Sequence, residues 1–240
     1  MGPKTWTEFL LFSFATVTEL GAHRGGESHR TRARLAARGE SRHRIEGSAP
    51  RMVLVLCIGD MHIPHRVADL PPKFRSLLVP GKIQHVLCTG DVCVKETHDY
   101  LRSLCADVHA VRGNYDDAGP DGFARQWPDS KVVTIGDFKF GLVHGHQVVP
   151  HGDVNALAAA QRAMNVDVLV AGQAKRWGAH KVEDRLIVNP GSATGAFRSE
   201  DPEAYPSFVL VDVDGPRATC YVYELRGEEV KVDKVEYSKA

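Results

Sequence analysis

Hydrophobic and polar positions divide this chain into two unlike stretches, with the change at Met52. From there "MVLVLCIGD" runs apolar without a break into Gly-Asp, the pattern of a central strand buried on both faces. "IQHVLCTGD", "ADVHAVRGN", "FKFGLVHGH" and "VDVLVAGQ" repeat the form, each an apolar strand followed by a polar or glycine-containing turn. Two helices are predicted between them. "VKETHDYLRSLC" carries apolar residues at helical spacing, and "GDVNALAAAQRAMN" opens with Asp153 as an N-cap before an alanine-rich run. The C-terminal stretch "SFVLVDVDGPRATCYVYELRGEEVKVDKVEY" changes period. It reads as three alternating strands separated by a Gly-Pro and an Arg-Gly-Glu-Glu turn, an antiparallel meander. Strand–helix alternation followed by a meander predicts an α/β fold, a two-sheet β-sandwich flanked by helices.

Residues 1–51 lack such a pattern. Between His23 and Arg51 lie eight arginines and almost nothing apolar, a composition that cannot offset its ordering entropy by burial. The reading is a disordered, Arg-rich N-terminal extension over 1–51 and one domain over 52–240. The apolar segment before it is short and flanked by Glu8 and Glu19, a poor signal peptide. Trp6 stands where a myristoylation motif has Ser or Thr.

Composition narrows the function classes. Lys and Arg number 30 and Asp and Glu 30, so no net charge argues for nucleic acid as a partner. No apolar run approaches the roughly 18 residues of a membrane span, which argues against direct membrane insertion. The five cysteines (Cys57, Cys88, Cys93, Cys105 and Cys220) match no zinc spacing and read as reduced core thiols of a cytoplasmic protein.

The chemistry lies where the predicted strands end, the usual ligand position in α/β folds. Asp60 and His62 ("GDMH"), Asp91 ("TGDV"), Asn114 and Asp116 ("GNYD"), and His144 and His146 ("HGH") each follow an apolar run directly. Carboxylates can bridge two cations, imidazole suits the later transition metals, and an amide oxygen adds a neutral donor. Any one of these is a common turn signal. All four in this order form a specific one.

In that order the motifs resemble the calcineurin-like metallophosphoesterase superfamily. "GDMHIPHR", "LPPKFRSLLVPGKIQHVLCTGDVC", "VHAVRGNYD", "FGLVHGHQVVPHGD" and "NPGSATGAF" resemble, more narrowly, its retromer-subunit family, from Met52 to nearly the C-terminus. The resemblance implies a metallophosphoesterase fold with metal donors Asp60, His62, Asp91, Asn114 and His144. It implies a non-catalytic scaffold that binds the C-terminal part of the retromer α-solenoid subunit through Val149 and Pro150. Rab GTPase-activating proteins or other endosomal regulators would bind an apolar patch with Leu210 and Tyr223, bordered by Leu54, Leu78 and Val232. The location implied is cytoplasmic, peripheral on endosomes through the complex, in endosome-to-Golgi and plasma-membrane transport.

One departure stands out. The superfamily's final motif is G-H-x-H, and here it is Gly172-Gln173-Ala174-Lys175. A neutral amide is a poor exchange for imidazole, and an ammonium is repelled by cations. The implied divalent metal (Mn, Zn or Mg) would therefore be weak or absent. Lys175 either offsets Asp60 and Asp91 or swings into solvent. His180 reads as a surface histidine rather than a displaced ligand. Tyr115 follows "GN" where some relatives carry a general-acid histidine. The alternative reading, a binuclear-metal phosphodiesterase, needs the intact donor set. "NPGSATG" is expected to be a backbone turn that brings the last sheet round.

Overall fold

The computed structural model describes residues 52–116, 124, 126–173, 176–196 and 204–239. The predicted extension over 1–51, with Ala174 and Lys175 of the altered motif, lies outside the described residues.

The apolar run after Met52 forms β1 (Val53–Ile58), and its last four residues are buried, as a central strand requires. It pairs in parallel with β2 (His85–Cys88), which pairs in parallel with β3 (Val108–Ala110). Helix α1 (Pro72–Leu77) lies in the first crossover and α2 (Lys95–Leu104) in the second. On its other side β1 runs antiparallel to β9 (Ser207–Asp214). The meander of β9, β10 (Arg217–Arg226) and β11 (Glu229–Ser238) completes a six-stranded sheet in the order β11-β10-β9-β1-β2-β3. The meander follows the alternating pattern, and glycines at positive φ, Gly215 and Gly227, make its two turns.

The second sheet has five strands in the order β4-β5-β6-β8-β7. They are β4 (Ser130–Ile135), β5 (Phe138–Val143), β6 (Val168–Ala171), β7 (Gly178–Val182) and β8 (Arg185–Asn189). Helix α3 (Val154–Met164) connects β5 to the parallel β6. Asp153 caps it as expected, accepting the Ala156 N–H at 2.8 Å. Three elements escape the hydrophobic pattern: α1, which is a six-residue helix, and the edge strands β4 and β7, which are half exposed.

The two sheets face each other across one core. Val55, Cys57 and Leu87 of the first parallel strands and Val209, Val211 and Val222 of the meander meet Phe138, Phe140, Leu142, Val168 and Val188. Leu157 and Ala158 of α3 pack on the outer face of the five-stranded sheet, against Leu169 and Ile187. Phe74 of α1 packs edge-on against Phe208 on the outer face of the other sheet, 4.7 Å between centroids. The fold is the sandwich with helices on its outer faces. All five cysteines are free, and burial pushes the Cys57, Cys88, Cys93 and Cys220 thiols up, away from reactive thiolates. Among the described residues no helix is long and apolar enough to cross a membrane.

Candidate metal centre

Loops at the carboxyl ends of β1, β2, β3 and β5 converge, and they bring Asp60, His62, Asp91 and His144 together with at most 1% exposure each. The β1 and β2 loops are bonded through their backbones. The Asp60 N–H donates to the Gly90 carbonyl at 3.0 Å, and the Met61 and His62 N–H groups donate to the Asp91 carbonyl at 3.1 and 2.9 Å. These loops take unusual conformations without glycine. Asp60, His62, Asp91, Cys93 and Gln173 have φ of 48°, 51°, 54°, 69° and 65°. Such left-handed residues persist where surrounding contacts over-determine them.

Asp91 is the centre of the group. Its Oδ1 accepts the Tyr115 N–H at 2.8 Å. Its Oδ2 is buried with no hydrogen-bond partner among the described residues. That oxygen instead lies 3.4 Å from Nε2 of His144 and 3.5 Å from Nε2 of His62. His144 Nε2 is 2.9 Å from Oδ1 of Asn114, and its Nδ1 is 2.7 Å from the Thr89 carbonyl and 3.7 Å from Oδ1 of Asp60. Asn114 itself is exposed, reaching the group only through its amide oxygen. His146 stacks obliquely on His144, 5.3 Å between centroids, with its Nδ1 buried and lacking a hydrogen-bond partner among the described residues. Tyr115 meets the edge of His62 at 5.0 Å and carries the Arg66 guanidinium over its face at 4.6 Å.

The electrostatics follow from burial and two carboxylates. Burial disfavours a charged His144, but Asp91, Asp60 and the Thr89 carbonyl outweigh it and raise the imidazole to about 9. Burial likewise pushes Asp91 up, and His144, the Tyr115 N–H and His62 more than reverse it, holding the carboxyl below its ordinary range. Burial lowers His146, helped by the charge on His144. At neutral pH a proton on His144 thus offsets the two carboxylates.

Donor atoms of Asp60, Asp91 and His144 all lie within 4.8 Å of one another, close enough to hold one divalent cation. The buried Asp91 Oδ2 between two imidazoles fits such an ion, which would take the place of the His144 proton. A second cation fits less well. Gln173 stands where an imidazole donor is expected, and its backbone N–H donates to Oδ2 of Asp60 at 3.2 Å.

Asp116, a metal-competent group by its motif, turns away from the cluster. Its carboxylate accepts N–H bonds from Asp91, Val92, Cys93 and Gly113 at 2.8 to 2.9 Å, and so fixes the Asp91 loop. Gly113 is required there, since a Cβ would lie 2.1 Å from Oδ1 of Asp91. "NPGSATG" turns the chain back as expected, with the Ser207 N–H donating to the Ser192 carbonyl at 2.8 Å. It also bolts the β1 loop, a role its composition does not announce. Ser192 Oγ donates to the Asp60 carbonyl at 2.7 Å and Thr194 Oγ1 to the Met61 carbonyl at 2.9 Å. His180 is exposed on β7.

The residues expected at partner surfaces fall in two places. Val149, 75% exposed, and Pro150 lie in the loop following His146. Leu54, Leu210, Tyr223 and Val232 share the outer face of the six-stranded sheet, because the register pairs Leu56 with Leu210 and Tyr223 with both Phe208 and Val232. Tyr223 is only 4% exposed, its ring stacked on Phe208 at 4.8 Å, and Leu78 is 3% exposed. Those two are buried, while Leu54, Leu210 and Val232 reach the surface.

Sandwich and strand-end donors together define a phosphoesterase-type protein, and the calcineurin-like phosphoesterase superfamily domain matches residues 53–215. Vacuolar protein sorting-associated protein 29 of Schizosaccharomyces pombe is 39% identical over 78% of this chain and 99% of its own. The solved vacuolar protein sorting 29 of Cryptosporidium parvum is 41% identical, covers 78% of this chain and 99% of its own, and has a TM-score of 0.74. The Entamoeba histolytica protein complexed with zinc is 43% identical over 77% of this chain and 99% of its own, at a TM-score of 0.71. The chain belongs to the vacuolar protein sorting-associated protein 29 family of that superfamily.

Proposed function

We propose that this chain, a retromer subunit by its family, acts as a non-catalytic scaffold. Residues 52–240 form the working domain, with 1–51 as an extension. Through Val149 and Pro150 it binds the C-terminal part of the α-solenoid subunit. Through a patch with Leu210 and Tyr223, it binds regulators such as Rab GTPase-activating proteins. It works in the cytoplasm, held peripherally on endosomes by the complex, in transport to the Golgi and plasma membrane.

The observation that carries this reading is Gln173, whose side chain offers a neutral amide where a metal-binding imidazole is expected, next to the Oδ2 of Asp60 that its backbone N–H contacts at 3.2 Å. In-line hydrolysis of a phosphoester by two metals needs both ions firmly held about 3.5–4 Å apart. Asp60, His62, Asp91, Asn114 and His144 remain as donors for metal. The buried trio of Asp60, Asp91 and His144 supports one cation, and the zinc complex of the Entamoeba histolytica relative supports zinc as its identity. Such an ion would neutralise the carboxylates and hold the loops beside Val149. The same trio is the one feature that favours the alternative, a binuclear phosphodiesterase.

Calorimetric titration of the full chain with the C-terminal half of the solenoid subunit, in Mn²⁺ and in EDTA, tests the proposal beside an assay with bis-p-nitrophenyl phosphate. Binding in both buffers without hydrolysis is the expected result. Absence of binding together with metal-dependent hydrolysis would overturn it in favour of the enzyme.

A further inference from the structure

At the opposite ends of the same parallel strands lies a second group of metal-competent side chains. His85 opens β2, and Asp107 and His109 flank the first residue of β3. The register pairs Val86 with Val108 and Leu87 with His109. One step back sets Asp107 abreast of His85, and the two-residue period turns His85, Asp107 and His109 to one face. Nδ1 of His85 is 2.6 Å from Oδ2 of Asp107, and Nε2 of His109 is 3.1 Å from Oδ1. The imidazoles stand nearly parallel, at 17°, with centroids 6.3 Å apart on either side of the carboxylate. One donor atom from each residue lies within 4.8 Å of the other two.

We propose that His85, Asp107 and His109 form a second divalent-metal site, selective for zinc or a neighbouring late transition metal. Two imidazoles with one carboxylate suit such ions over magnesium or calcium, which prefer oxygen alone. Around a tetrahedral cation bonded at about 2.0–2.2 Å, adjacent donors sit about 3.3–3.6 Å apart, which donors within 4.8 Å of one another reach by side-chain adjustment. The plain alternative is a carboxylate bridging two histidines by hydrogen bonds. It accounts for His85 but serves His109 less well, since Nε2 of His109 is buried without a well-aligned hydrogen bond among the described residues, 3.1 Å from Oδ1 of Asp107. Side-chain exposures of 25%, 50% and 15% leave one side open for water to complete the coordination. The ion would tie the start of β2 to the start of β3, the edge strand of its sheet.

The test is zinc binding to the full chain by equilibrium dialysis and calorimetry, in wild type, in H85Q/H109Q and in D91N/H144Q. The readout is the difference between variants, because histidines elsewhere take zinc weakly. H85Q/H109Q should lose one equivalent, and D91N/H144Q should keep it. A cobalt-loaded D91N/H144Q sample should show a visible absorption band that H85Q/H109Q removes when added to it. If H85Q/H109Q does not fold, as read by circular dichroism, D107N replaces it and should weaken the site at least tenfold. Unchanged zinc stoichiometry and affinity in the substituted protein, or binding by this trio only above about 1 mM zinc, overturns the proposal.

Discussion

Asp116 holds Asp91 by the backbone, its Oδ2 accepting the Asp91 N–H at 2.9 Å while the same carboxylate takes three more N–H groups. A buried anion that gathers four donors is hard to replace. Asp116→Asn turns an NH₂ toward N–H groups that need an acceptor, and should cost about 2–4 kcal/mol of stability. Urea unfolding measures it. A loss within experimental error would show that the loop holds its shape without the carboxylate.

His144 makes the metal-free protein sensitive to alkali. Its folded pKa, about 9, lies above the ordinary value of 6.5, so the folded state binds the proton more tightly. The stabilisation is full below about pH 6.5 and is lost as pH rises through 9, to a total of about 3 kcal/mol shared with the Asp91 contact. Melting in EDTA from pH 6 to 10 should show this decline, and His144→Gln should flatten it. Metal affinity has the opposite sign: the ion displaces the proton, so zinc should bind more tightly as pH rises toward 9.

Restoring the altered motif should restore affinity. Q173H/K175H restores the two imidazoles of the superfamily's final motif, and Mn²⁺ or Zn²⁺ should bind at least about tenfold more tightly than to the wild type. Hydrolysis of bis-p-nitrophenyl phosphate by this variant alone would identify the motif as the missing part of the chemistry. Unchanged affinity would mean that Gln173 and Lys175 do not limit metal binding.

Val149, 75% exposed, makes no visible contribution to the core. Val149→Asp should therefore leave the melting temperature unchanged and weaken solenoid binding at least about tenfold. Normal binding by a normally folded variant would remove this loop from the interface.

Much of this was legible in the chain itself. The unbroken apolar run of β1, the Asp153 cap and the alternation of the meander each carry a local physical cause, and each element forms where that cause points. That Asp60, Asp91 and His144 would meet was legible because each lies just beyond the end of a strand. The role of Asp116 was not. Spacing cannot distinguish a carboxylate that reaches for a cation from one that folds back onto N–H groups. Nor does alternation decide which face of β9 the second sheet will cover. Only the sandwich turns Val209 inward and Leu210 outward. Strand β7 was hidden for a related reason: His180 and Lys181 are exposed on this edge strand, so no apolar run marks it.

The left-handed backbone at Asp60, His62, Asp91, Cys93 and Gln173 has a further consequence. Non-glycine residues in that conformation each cost about 1–2 kcal/mol, a burden concentrated in the loops around one buried cluster of carboxylates and imidazoles. The well-packed interior offers little room for improvement, whereas these loops offer a great deal. A population of this protein selected only for heat tolerance should therefore change first in these loops, with glycine or asparagine entering at positions such as Cys93. Asp60, His62 and Asp91 would yield to the search for stability before any core residue moved.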